Sequence, residues 1–269
     1  MPNTLKLATW NINSIRMRKN LVVDFLNQEK PDILALQEIK CMNDQFPNEF
    51  FANAGYKYQA INGQKSYHGV ALLSKIELLN ISQKQFGGID HARHICADVN
   101  FNQKKVGIHN FYIPAGGDEA DPKINPKFAH KLDFYAQMKS FFKEEQFKKG
   151  QIIVGDFNIA PHENDVWNHK QLLKVVSHTP LEIDLLNDLL KDNNWVDIVR
   201  HNIDISQKLY SWWSYRAKDW NKADKGRRLD HIWATADLAE KSLEAKILRE
   251  ARGWSEKPSD HAPIIATFN

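Results

Sequence analysis

Apolar residues gather in short runs at 5–12, 32–36, 56–61, 70–74, 95–101, 106–113, 152–157, 229–234 and 264–268. Several runs are bounded by Gly, Asn or Pro, as strand ends often are. Between them the spacing turns helical: over 16–29, Leu21, Val22, Phe25 and Leu26 share one face. Over 127–147, Phe128, Leu132, Tyr135, Met138 and Phe142 do the same. Thr179-Pro180-Leu181-Glu182 reads as a capping box with proline at the first helical position, opening a helix through Ile183, Leu186 and Leu190. No repeat, low-complexity stretch or linker divides the chain. The pattern predicts one α/β domain over 1–269, with two packed sheets flanked by helices.

Composition narrows this only a little. Of 269 residues, 42% are hydrophobic and 26% charged, ordinary values for a globular protein, and no apolar run approaches a membrane span. A start without a signal-peptide core, and only two cysteines, Cys41 and Cys96, point to a reduced, cytoplasmic compartment rather than a disulfide framework. A net charge of +3 permits a polyanionic partner without demanding one. The 8 tryptophans serve either core packing or base stacking, which composition cannot separate.

The chemistry sits where apolar strands end. Asn11 closes the first run, Glu38 follows the second, Asp156 and Asn158 close the seventh, Asp230 lies in the eighth, and Asp260-His261 precedes the last. Each alone is an ordinary loop or cap residue. Together they change the picture. Glu38 and Asp260 offer hard oxygen ligands suited to Mg²⁺. His261 offers a base or a proton-linked donor that Asp230 would orient, and Asp156 would activate a water. Asn11 and Asn158 would donate hydrogen bonds to a phosphate oxygen. These parts suffice for attack of water on a phosphodiester.

Thr9-Trp10-Asn11-Ile12-Asn13-Ser14-Ile15-Arg16, Leu36-Gln37-Glu38-Ile39-Lys40, Gly155-Asp156-Phe157-Asn158-Ile159-Ala160-Pro161, Arg228-Leu229-Asp230 and Ser259-Asp260-His261-Ala262-Pro263 follow one another in order. This series resembles the ordered motifs of the exonuclease III family, a branch of the endonuclease/exonuclease/phosphatase superfamily. The resemblance spans residues 5 to 268. It implies a DNase I-like, four-layered α/β sandwich with two central mixed sheets. It implies Mg²⁺ or Mn²⁺ at Glu38 with Asn11 and Asp260 close by, and a His261–Asp230 pair at the scissile phosphate. Asp156 would be poised for the nucleophilic water, Asn158 would hold a phosphate oxygen, and Tyr112 would lie near the phosphate. The implied partner is double-stranded DNA with 3′ ends, nicks or abasic sites, bound by a monomer. The implied activities are 3′→5′ exonuclease action, removal of 3′ blocking groups and incision 5′ to abasic sites.

Other segments bear on substrate choice. Trp212, in Tyr210-Ser211-Trp212-Trp213-Ser214-Tyr215-Arg216, matches a family aromatic that helps form the abasic-sugar pocket, while one of Trp212 and Trp213 should face the core. Arg216, Lys218, Lys222, Lys225, Arg227 and Arg228 form a basic stretch that reads as phosphate contacts once an active site is granted. Ala115 stands where relatives often carry an amide, and Asn13 replaces an aspartate found in some. His178, in Val176-Ser177-His178-Thr179-Pro180, takes the place of a small residue common in abasic-site endonucleases. A bulky imidazole there would obstruct an internal abasic nucleotide yet admit a 3′ terminus. As a plain loop residue before a capped helix it would do neither.

Three rivals remain on sequence grounds. Phosphoinositide phosphatases and other phosphoesterases share the Glu, Asp-x-Asn and Asp-His positions, but Tyr112 and the Trp212 segment favour the DNA branch. A non-catalytic DNA-binding module should have lost catalytic groups, yet all are present. A zinc enzyme finds its nearest candidate ligands in His91 and His94, with no closed Cys/His set beside them.

Overall fold

In the computed structural model, which describes residues 4–255 and 257–269, the strands run in chain order as follows. They are β1 (Leu5–Asn11), β2 (Ile33–Gln37), β3 (Tyr58–Asn62), β4 (Val70–Ser74), β5 (Leu79–Ser82), β6 (His94–Phe101) and β7 (Lys104–Tyr112). Then come β8 (Gln151–Asp156), β9 (Trp195–Asp197), β10 (Trp212–Trp213), β11 (Gly226–Arg227), β12 (Asp230–Thr235), β13 (Ser242–Ile247) and β14 (Ile264–Phe268). One six-stranded sheet has the order β13-β14-β1-β2-β4-β3 and the other β5-β6-β7-β8-β12-β9, while β10 and β11 form a separate ribbon. Both large sheets are mixed. Each contains one parallel pair, β1 with β2 and β7 with β8, among antiparallel neighbours.

Side-chain alternation along the strands explains the layering. Leu5 and Leu7 of β1, Ile33 and Ala35 of β2, Ile152 and Val154 of β8, and Ile232 and Ala234 of β12 meet in the core between the sheets. Their neighbours point the other way. Ala8, Trp10, Leu34 and Leu36 pack against Leu21, Val22, Phe25 and Leu26 of α1 (Ile15–Glu29) and Phe51 of α2 (Asn48–Asn53). On the far side, Phe111, Ile153 and Trp233 pack against Phe134, Tyr135 and Met138 of α3 (Pro126–Phe141). After the short α4 (His169–Leu172), Leu186 and Leu189 of α5 (Pro180–Asp192) complete that layer. The result is the expected four-layered α/β sandwich. Among the described residues no helix is long and apolar enough to cross a membrane.

Several details differ from the sequence reading. The helix expected over 127–147 ends at Phe141, and a 3-10 turn covers Glu145–Phe147. Strands β5 and β13 are exposed edges outside the expected apolar runs: each alternates apolar with polar residues (Leu79 and Ile81; Leu243, Ala245 and Ile247) and forms no long apolar run. The capping box at Thr179 is as expected: its hydroxyl accepts from Glu182 N, and the Glu182 carboxylate accepts from Thr179 N.

A polar network enters the inter-sheet core near one end. There Gln37 Nε2 donates to Asn110 Oδ1 at 2.7 Å, and Asn110 Nδ2 donates to the carbonyls of Leu36 and Ala71. This network ties the two sheets together beneath the end where β1, β2, β7 and β8 finish and β12 and β14 begin. The first strand also lies against the last, β1 pairing with β14. Trp10 Nε1 donates to His261 O at 2.9 Å, and Ser259 Oγ donates to Asn11 O at 2.6 Å.

Candidate active site

Six strand ends deliver polar groups to one cleft of about 250 Å³, lined by Glu38, Tyr112, Asp156, Asn158, Trp212, Arg227, Asp260 and His261 among others. Asn11 is the last residue of β1, Tyr112 of β7 and Asp156 of β8, while Asp230 is the first of β12. Rigid strands thus hold most of the set, as preorganised chemistry requires. The turns beyond them are held in left-handed backbone. Asn13 (φ 47°), Glu38 (φ 52°), Lys40 (φ 53°), Asn158 (φ 55°) and Ser177 (φ 89°) all adopt it around the cleft. Non-glycine residues seldom do so, and such outliers concentrate at functional sites.

The hydrogen bonds are specific. His261 Nδ1 lies 2.8 Å from Asp230 Oδ2, which also accepts from Ser211 Oγ at 2.6 Å. His261 Nε2 stands 3.8 Å from Asp156 Oδ2. Asn11 Nδ2 donates to Glu38 Oε1 at 3.0 Å and to Asp156 Oδ2 at 2.9 Å, and its Oδ1 accepts from Asn13 N. Asn158 N donates to Asp156 Oδ1 at 3.0 Å, and Asn158 Nδ2 to Ile113 O at 2.9 Å. Asp260 accepts from Asn13 Nδ2 at 3.1 Å and from Trp212 Nε1 at 2.9 Å. Lys40 Nζ lies 2.7 Å from Glu38 Oε2.

Charge distribution follows from this packing. Burial works against the His261 imidazolium, but the nearby Asp230 and Asp156 carboxylates outweigh it and push its pKa up to about 10. Burial raises Asp156, the His261 charge pulls it back and Asp230 pushes it further up, leaving it well above the usual carboxylate range. Burial also acts to raise Glu38, yet Lys40 and the Asn11 hydrogen bond bring it below its ordinary value. Burial and the charges of Glu38 and Asp156 hold the Tyr112 phenol protonated, a donor throughout the working range.

The donors fit a hard divalent cation. Glu38 and Asp260 are half-buried carboxylates at the cleft, and oxygen ligands of this kind suit Mg²⁺ or Mn²⁺. Ligand atoms of Asp156, Asp230 and His261 also lie within 4.8 Å of one another, but there His261 Nδ1 is already committed to Asp230. Asn11 Nδ2 bridges the Glu38 and Asp156 carboxylates and its Oδ1 accepts from Asn13 N, so its amide braces the acidic residues beside the cleft.

Other expected site residues divide. Trp212 lines the cleft while Trp213 is buried in the core, where its Nε1 donates to Asp224. Arg227 also lines the cleft, donating to Ser177 Oγ at 2.7 Å, with its guanidinium 5.5 Å from the Trp212 ring centroid. Arg216 is exposed and outside the cleft lining. His178 is a correction: its side chain is fully buried and is absent from the lining, which Val176 and Ser177 provide instead. Its Nδ1 donates to Ala160 O at 2.6 Å, leaving Nε2 to accept from His169 Nδ1 at 2.8 Å. The imidazole is thus a buried brace and obstructs nothing.

Structural supports missed by the sequence reading lie beneath the rim. Lys131 of α3, fully buried, pairs with the equally buried Glu182 and donates to Asn158 O and Ala115 O. Glu182 in turn accepts from Ser177 N. One ion pair therefore holds three rim segments, which no sequence spacing signals. The histidines suggested for zinc separate: His91 packs against His68 in a tilted contact, while His94 joins His109 and Cys96. In that second group Lys84 N donates to His94 Nδ1, so the His94 proton sits on Nε2, 3.1 Å from His109 Nδ1. A metal at Nε2 would demand the opposite tautomer.

Comparisons with known proteins agree with this geometry. The model of the Endonuclease/Exonuclease/phosphatase family matches residues 8–261. The chain is 33% identical over 273 residues to exodeoxyribonuclease III of Haemophilus influenzae, covering 98% of this chain and 100% of that protein. Among solved structures, a 3′ phosphatase from Neisseria bound to product DNA hairpin superposes with a TM-score of 0.89 at 29% identity, covering 98% of this chain and 99% of that one. An AP endonuclease from Archaeoglobus fulgidus matches with a TM-score of 0.89 at 30% identity, with the same two coverages.

Proposed function

This chain belongs to the endonuclease/exonuclease/phosphatase family, and from that premise we propose that it is a Mg²⁺- or Mn²⁺-dependent DNA-repair phosphodiesterase of exodeoxyribonuclease III type. Its substrates are duplex DNA 3′ ends, trimmed 3′→5′ or cleared of blocking groups, and abasic sites incised on their 5′ side. The observation that carries this reading is the His261–Asp230–Ser211 chain of hydrogen bonds facing Asp156 and Glu38 in one cleft.

Glu38 and Asp260 would hold the divalent cation, which would supply positive charge to the scissile phosphate. His261, kept protonated by Asp230, donates to a phosphate oxygen as negative charge develops there. Tyr112, held neutral, adds a second donor beside the charged imidazolium. Asp156, raised toward neutrality, takes the proton from the attacking water. Asn158, fixed by Asp156 and Ile113, turns its remaining amide hydrogen toward the substrate.

The cleft is smaller than the pockets that hold drug-sized ligands, so it suits a phosphate and a sugar without a base. Because His178 lies behind the wall, nothing it does excludes an abasic sugar. Internal abasic incision therefore stands beside 3′-end trimming in this reading. The test measures internal abasic incision, 3′ exonuclease degradation and 3′-phosphate release on one purified sample with Mg²⁺. Glu38→Ala and His261→Ala should depress all of them, and retention of activity by both variants sinks the assignment.

A further inference from the structure

Glu38, Asp156 and Asp260 line the candidate active site together with Arg227, yet among the described residues no carboxylate pairs with that guanidinium. The ribbon explains why it stays apart. It sets Arg227 of β11 directly across from Trp212 of β10. Trp212 is itself fixed, since its Nε1 donates to Asp260 Oδ2 at 2.9 Å, and its ring centroid lies 5.5 Å from the guanidinium. Arg227 Nη1 donates to Val176 O at 3.0 Å and to Ser177 Oγ at 2.7 Å. Its Nε is buried with no acceptor, and among the described residues Nη2 donates to none.

A cation so placed is incomplete. Burial works against the Arg227 charge, and the carboxylate that offsets this, Glu182, is already bonded to Lys131. Buried charges are ordinarily paired, because burial without a counter-charge is costly. The unused edge of the guanidinium, Nε and Nη2, is the geometry that takes a carboxylate through two parallel hydrogen bonds. The phosphate under attack sits by Glu38, Asp156 and His261. Arg227 and Trp212 therefore border the space left for the group that the phosphate carries.

We propose that Arg227 is a specificity-determining residue, selecting 3′ ends whose blocking phosphate carries a carboxylate, the phosphoglycolate left when a deoxyribose is broken by oxidation. The guanidinium edge takes the glycolate carboxylate. Water gives its hydroxyl to phosphorus, the bond from phosphorus to the 3′ oxygen breaks, and the proton ends on that oxygen. Phosphoglycolate departs and a 3′ hydroxyl remains. An abasic sugar is neutral and gains nothing from the cation, so this residue biases the cleft toward oxidised 3′ ends over internal abasic sites. The proposal rests on the DNA-phosphodiesterase reading and names the substrate that this chain favours within it.

The test compares Mg²⁺-dependent release from duplexes that differ only at the 3′ end, one carrying phosphoglycolate and the other its neutral counterpart, hydroxyethyl phosphate. The wild-type protein should favour the glycolate end by roughly tenfold or more in kcat/KM, and Arg227→Gln should erase most of that preference. Arg227→Lys, which keeps the charge but loses the planar fork, should fall between them. Equal handling of the two ends by the wild type, or a preference untouched by Arg227→Gln, overturns the proposal. Calorimetric titration with free phosphoglycolate and free hydroxyethyl phosphate reads the same pocket without turnover. The acid should bind the wild type about tenfold more tightly, an advantage that Arg227→Gln removes; equal binding overturns the proposal. Tighter binding of the acid with turnover of neither duplex would uphold the carboxylate site and sink the phosphodiesterase reading instead.

Discussion

Asp230 Oδ2 receives His261 Nδ1 at 2.8 Å on a carboxylate that Ser211 Oγ also grips at 2.6 Å. The same hydroxyl accepts the backbone N–H groups of Leu229 and Asp230, so the start of β12, the serine and the imidazole form one rigid unit. Asp230→Asn should drop the His261 pKa from about 10 toward the ordinary histidine value, read by NMR titration. It should also cut kcat on duplex DNA by roughly 10²–10⁴. An imidazole that titrates as before would show that Asp230 does not hold its charge.

The buried Lys131–Glu182 pair makes a different expectation. Lys131→Met leaves the Glu182 carboxylate in a dry site without its partner and removes the donor to Asn158 O. Urea unfolding should show a loss of about 3–5 kcal/mol. Lys131→Met combined with Glu182→Gln, which keeps much of the capping geometry, should cost less than the sum of the single changes. Additivity would mean the two side chains are not coupled.

Acid stability should trace to another buried network. Burial opposes the Asp165 and Asp197 carboxylates, but the Arg228 guanidinium bonded to both holds them below the usual range. A carboxyl whose folded pKa is depressed stabilises the fold above its unfolded value, near 4, and that contribution is withdrawn as pH falls below it. Tm should therefore decline as pH falls below about 5 and keep declining toward the depressed folded values. Asp165→Asn should lower Tm at neutral pH and flatten that decline; an unchanged slope would place the acid sensitivity elsewhere.

His178→Gly should not raise incision of internal abasic sites, because the side chain it removes lies behind the cleft wall. It should instead destabilise the protein by roughly 2–4 kcal/mol, through the cavity left behind and the loss of the bonds to Ala160 O and His169. A several-fold gain in abasic incision would restore the steric role first expected of it.

Legibility differed from element to element. Strands with consecutive apolar residues, such as β2 and β12, could be placed because both their faces are covered. The edges β5 and β13 carry only a short alternation and no continuous apolar run, since solvent rather than packing meets most of their side chains. Within the site, residues that touch the cleft stood out as polar groups ending apolar runs. Their supports did not. Lys131 reads as a surface charge on α3, and only the fold reveals the carboxylate opposite it. His178 erred in the opposite direction: a loop position next to a rim residue says nothing about which side of the wall its ring occupies. Asn11 ends an apolar run beside the cleft carboxylates, but the sense of its amide depends on partners 27 and 145 positions away.

The pairing of β1 with β14 has a consequence for synthesis. Asn11 and Glu38 leave the ribosome early, whereas the strand that aligns Asp260 and His261 emerges some 250 residues later, tied back through Trp10 and Ser259. Until then the first sheet lacks the neighbour that β1 requires, and the imidazole has not arrived. A nascent chain therefore carries the carboxylate of Glu38 and the amide of Asn11 long before the strand that aligns Asp260 and His261 beside them.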